Sequence, residues 1–163
     1  MRPLVFSFLI FMNYCKSDLR RKVAYQNFSY DSSKIAIIPF RNQALFGEMD
    51  SINTYATLTQ NDLIELEKLF RESVAEHDSA INTNKEKGEY IDLKKWDYKR
   101  QYVGYINKRG QKIVYVNCFC DTTGLNYWRK DLVEFNDGGD CFFHLKINLI
   151  TKKWFDFIVN GYA

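Results

Sequence analysis

The sequence predicts an α+β domain in which one long helix packs on a curved antiparallel sheet of four to five strands. Three observations carry this. Apolar residues recur at helical spacing over residues 59–79, the period switches to two from Lys99 onward, and short polar turns divide that second half into hairpins. A chain of 163 residues is one domain's worth of polymer, and 46% apolar with 26% charged residues is an ordinary globular balance. The 11 Tyr, 13 Phe and 3 Trp lean toward sheet, and only Pro3 and Pro39 interrupt the chain.

At the start, Arg2 precedes an apolar run over residues 4–12 that is too short to cross a bilayer as a mature helix, so residues 1–14 read as a signal peptide. The run ends at Asn13-Tyr14-Cys15, and a cysteine directly after such a run resembles the lipid-modified cysteine of bacterial lipoproteins. That resemblance implies cleavage behind Tyr14, a lipid on Cys15 and a membrane-anchored product in the bacterial periplasm or outer membrane. Residues 15–34 then become a polar tether, and residues 35–163 the single folded domain. The tether holds Lys16, Arg20, Arg21, Lys22 and Lys34 against Asp18 and Asp31, which favours an anionic lipid surface.

Residues 34–38 are β-branched and stop at Pro39, as a first strand does. Residues 40–58 mix Asn42, Gly47, Asp50 and Asn53 with few periodic apolar positions and read as loop. In the helix that follows, Thr59 caps the N-terminus with Asp62 three residues on, and Leu63, Leu66, Phe70 and Val74 form the buried stripe, widened by Ile64 and Leu69. Residues 82–88 break that pattern. Strands over 99–106 and 111–120 flank the turn Asn107-Lys108-Arg109-Gly110, and strands over 140–150 and 153–160 flank Thr151-Lys152. Between the hairpins, residues 125–135 form an extra strand or a crossover, closed by Asn136-Asp137-Gly138-Gly139.

The order strand, helix, four antiparallel strands resembles the cystatin-like fold. Cystatin inhibitors carry a Gln-x-Val-x-Gly turn, whereas Gln101-Tyr102-Val103-Gly104 is one residue short and lies inside a strand, so protease inhibition is not implied. The C-terminal half, with Val116-Asn117-Cys118-Phe119-Cys120, the run from Asp137 to Phe143 and the ending Val159-Asn160-Gly161-Tyr162-Ala163, is similar to small uncharacterised bacterial lipoproteins. That likeness supports export and supplies no activity.

Alternation assigns faces. Val114, Val116, Cys118 and Cys120 share one side, as do Cys141, Phe143, Leu145, Ile147 and Leu149, and both sets are apolar enough to face the helix. In an exported chain such cysteines default to a disulfide, joining Cys141 to Cys120 or Cys118, with Cys120 nearer the strand end that opposes Cys141. The alternatives are buried thiols, or a Cys₃His zinc set of Cys118, Cys120, Cys141 and His77 supporting a cysteine- or zinc-dependent hydrolase. A Cys–His dyad through His144 is opposed by alternation, which puts His144 on the far side from Cys141. No phosphate loop, HExxH, GxSxG or paired-carboxylate spacing is present in the sequence, so neither an enzyme activity, a cofactor nor a metal is expected.

The opposite side of the sheet gathers Ile113, Tyr115, Phe119, Phe142, His144, Trp154 and Ile158, unusually aromatic for solvent. Phe119, Phe142 and Trp154 are therefore the candidate binding residues, unless residues 40–58 or 121–135 fold over them. Residues 1–34 hold six of the 23 basic and two of the 20 acidic residues, leaving 17 against 18 from Ile35 onward. That balance supplies no broad positive field, so residues 94–100, with cations interleaved among aromatics, read as a charged strand entry and not as a nucleic-acid platform. The expected function is an exported, membrane-tethered binding or accessory domain for a protein, peptide or glycan.

Overall fold

The computed structural model describes residues 30–40, 54–84 and 90–162. The expected signal peptide, Cys15, the expected tether up to residue 29 and residues 41–53 of the expected loop lie outside the described residues.

Among the described residues the chain is α+β, with one α-helix on a mixed sheet of six strands. Strand β1 is Ile35–Ile37, β2 is Thr54–Tyr55, the helix α1 is Gln60–Asn84, and β3 to β6 are Lys99–Ile106, Lys112–Phe119, Phe142–Asn148 and Lys153–Val159. From β3 to β6 the pairing is antiparallel between neighbours in sequence, as the two polar turns predict. The expectation of an all-antiparallel sheet of four to five strands is corrected at one edge of β3. There β1 pairs parallel, with Ile35 opposite Arg100, and β2 pairs antiparallel, with Tyr55 opposite Tyr105. Parallel pairing is possible because the chain leaves β1, makes a helix and returns before β3. Ahead of β1, Lys34 is held to the sheet, its carbonyl accepting from Arg100 N at 2.8 Å.

Helix α1 starts where the capping residues direct. Asp62 N donates to Thr59 Oγ1 at 3.2 Å while the Asp62 carboxylate accepts from Thr59 N at 2.8 Å, so the two residues satisfy each other's end groups. The helix runs on to Asn84, five residues past the expected end, because residues 80–84 contain neither Gly nor Pro to stop it. Near its end the buried Asp78 carboxylate accepts from Ile91 N at 3.0 Å and fastens the returning chain.

The expected stripe of Leu63, Leu66, Leu69, Phe70 and Val74 packs against Val114, Val116, Cys118, Phe143, Leu145, Ile147 and Leu149. At its margin Glu67 accepts from Tyr102 Oη and lies 3.4 Å from Arg100, whose Nε donates to Tyr102 Oη. Gly104 is needed where the chain crosses β3, since a Cβ there would lie 2.5 Å from the Ala56 carbonyl.

A second apolar layer covers part of the other side of the sheet, where residues 125–133 form turns and no strand. Leu125, Trp128, Leu132 and Val133 pack on Val103, Tyr105, Ile113, Tyr115 and Phe119. A buried amide network holds this cover down. Gln101 Nε2 donates to the Trp128 and Asp131 carbonyls, Gln101 Oε1 accepts from Val133 N at 2.8 Å and from Asn117 Nδ2 at 3.0 Å, and Asn117 also donates to the Val133 carbonyl. Every polar atom of the Gln101 amide is used, which makes complete burial of this side chain tolerable.

Candidate functional site

The three aromatics expected to share an open face do not share one. Phe119 is fully buried, its ring edge-to-face with Trp128 at 5.8 Å. Phe142 packs on Phe135, with ring centroids 4.4 Å apart. Trp154 points to the helix side, where its Nε1 donates to Glu76 at 2.9 Å. Trp154 takes its side next to the hairpin turn, where it pairs with Ile147 of the helix-facing set, and a β-bulge then separates it from Ile158. Ile147 pairs with Trp154 and Phe143 with Val159, so the six residues 154–159 of β6 span what the five residues 143–147 span in β5. Asp156, with φ of 52°, absorbs the extra residue, and simple alternation fails across it. Ile158 does lie on the outer side, opposite His144, and is half exposed.

The cysteines separate into a pair and a single thiol. Cys120 and Cys141 lie at disulfide distance, with Sγ atoms 2.10 Å and Cα atoms 5.0 Å apart, and Cys120 N donates to the Cys141 carbonyl. Cys118 is wholly buried in the helix-side core, and burial holds its thiol far above the ordinary range. His77 stacks on Phe157 at 4.1 Å and Cys120 is taken up with Cys141, so the residues of the alternative Cys₃His set do not converge. Among the described residues no group of three metal-ligating side chains forms. His144 lies on the outer side, in ring contact with Tyr115, as alternation indicates. Burial pushes its imidazole down to about 4, and the charge of Lys146 pushes the same way. Lys146 is itself buried, its Nζ 3.0 Å from the Asp156 carboxylate on the bulge. Around residues 94–100, Asp97 is paired with Lys34 and Lys99, and the two hold its carboxyl at about 2.

The cover over residues 125–133 leaves the far end of the outer face as a groove of about 620 Å³. Its floor holds Tyr105 and Ile113, and Phe155 contributes a ring that is 37% exposed. Lys108 and Arg109 reach it from the β3–β4 turn, and Lys153 from the start of β6. Two asparagines set these rims. Asn107 Oδ1 accepts from Arg109 N and Gln111 N, each at 3.0 Å, and Asn148 Oδ1 accepts from Ile150 N and Thr151 N at 2.9 and 3.0 Å. Sequence reasoning missed this groove because its residues come from two turns that meet only when β3 to β6 are side by side. The available signal was two cation-bearing polar turns that the strand order brings to one end of the sheet.

Comparison with protein-family models, curated proteins and solved structures finds no match to this chain. Its own residues therefore carry the functional reading. No helix among the described residues is long and apolar enough to cross a membrane, and the Cys120–Cys141 pair is compatible with an exported protein.

Proposed function

We propose that this chain is an exported, lipid-anchored binding or accessory domain that meets its partner through the uncovered end of the sheet's outer face. The observation that carries the binding part is the groove between the two turns, where a partly exposed ring and three cations adjoin a face that residues 125–133 cover in part. Export rests on Cys120 and Cys141 at bonding distance, a bond that persists in oxidising compartments, and on the apolar run before Cys15. The arrangement of one helix across a sheet that continues through two hairpins is in keeping with a cystatin-like fold, and the parallel β1 is where it departs from the expected antiparallel sheet. In this reading the basic tether holds the domain near an anionic lipid surface, with no nucleic-acid partner and no cofactor.

Metabolic labelling with a fatty-acid analogue tests the anchor. The native chain should label and fractionate with membranes, and Cys15→Ala should do neither. Undiminished labelling of Cys15→Ala, or none of the native chain, would sink the anchored reading.

A further inference from the structure

The outer-face groove is lined by Lys108, Arg109 and Lys153, and no carboxylate is among its lining residues. The nearest acid of β6, Asp156, is turned to Lys146. No ion pair to a carboxylate among the described residues involves Arg109 or Lys153. The floor offers little to a peptide backbone, because β3, β4 and β5 are each paired on both sides, and the open edge of β6 faces away from β5 at the sheet's margin. Over this floor the groups offered are side chains: cations, the Gln111 amide and the Thr151 hydroxyl on the rim, and the Phe155 ring. A volume of about 620 Å³ falls in the range of small-ligand sites, which run from about 300 to 1,000 Å³.

We propose that this groove binds an anionic sugar, a pyranose bearing a phosphate or a carboxylate. Its charge is held between Arg109 and Lys153, its ring face lies on Phe155, and its hydroxyls meet Gln111 and Thr151. The anion supplies what the lining lacks, and a sugar ring has the mixed apolar face and polar rim that this lining matches. The proposal rests on the reading of the chain as a binding domain and names the ligand class of that same site.

Titration calorimetry of the full chain tests it with glucose 6-phosphate, glucuronic acid, glucose, inorganic phosphate and tetra-aspartate as probes. At least one anionic sugar should bind, with affinity that falls as salt rises, while glucose and phosphate bind at least tenfold more weakly. Which anionic sugar is preferred separates phosphate from carboxylate. The double variant Arg109→Ala/Lys153→Ala should lose at least tenfold in affinity at an unchanged melting temperature, and Lys94→Ala/Lys95→Ala should bind as the native chain does. Equal binding of glucose, equal binding of phosphate alone, tighter binding of tetra-aspartate, an unaffected double variant or silence from every probe each overturns the proposal. Fatty-acid labelling of Cys15 reports on the anchored domain independently, so the two readings can fail separately.

Discussion

His144 and Lys146 are two residues apart on the same side of β5, and both are buried, yet they meet burial in opposite ways. Lys146 keeps a carboxylate, Asp156, at 3.0 Å, whereas His144 adjusts by staying neutral, its pKa pushed down to about 4 by burial first and by Lys146 second. The unfolded imidazole titrates near 6.5, so the unfolded chain takes up this proton before the folded one does. Stability from this residue is therefore fully present above pH 6.5 and is lost as pH falls toward 4. A curve of denaturation midpoint against pH should flatten over that window in His144→Gln. An unchanged slope would mean that other groups carry the acid limb.

Among the elements, β6 and the segment over residues 125–133 decide what the sheet presents. The bulge at Asp156 puts Phe155 and Ile158, of opposite parity in the sequence, on the same outer side while Trp154 faces the helix, and the cover turns Phe119 into core. Substituting Phe119 by Ser should cost the 3 to 5 kcal/mol or so of a truncated core aromatic. Phe155→Ser, at a partly exposed position, should stay within about 1 kcal/mol of the native chain. Urea denaturation of the two variants checks the ranking, and a Phe119→Ser variant as stable as the native chain would mean that the cover does not seal the face. The hairpins were legible from their periodicity and turn residues, because both signals are local. The bulge was not, because a run such as Lys153-Trp154-Phe155-Asp156-Phe157 reads as continuous alternation until it is paired with β5.

For the molecule as a whole, the Cys120–Cys141 pair closes a loop of 21 residues around the segment that covers the outer face. In the chain-entropy model a loop of that size stabilises by about 3 kcal/mol. Non-reducing peptide mapping should find Cys120 linked to Cys141, and Cys118 should alkylate only after unfolding, its thiol being buried and held protonated. Replacing Cys120 and Cys141 together by Ser should lower the melting temperature and admit a hydrophobic dye to the face around Phe119 and Trp128. Alkylation of Cys120 or Cys141 in the oxidised native chain would refute the pairing.

What the sequence determined by itself was whatever depends on neighbours within a turn or two. The Thr59–Asp62 cap, the helix stripe from Leu63 to Val74, the turn at residues 107–110, the place of the second turn, which takes in residues 149–152 and not only the expected 151–152, and the inward alternation of β4 and β5 all follow from spacing along the chain. It also narrowed the partner of Cys141 to two cysteines, since strand order alone brings the end of β4 to the start of β5. The tertiary structure alone decided the parallel docking of β1 on β3, the cover held by Gln101 and Asn117, and the meeting of Arg109 with Lys153 at one groove. Each joins residues 16 or more positions apart in sequence, and such contacts leave no periodic trace. They form because apolar area left bare on the sheet's second side is covered by whichever segment can bring carbonyls and amides to satisfy the buried polar groups there.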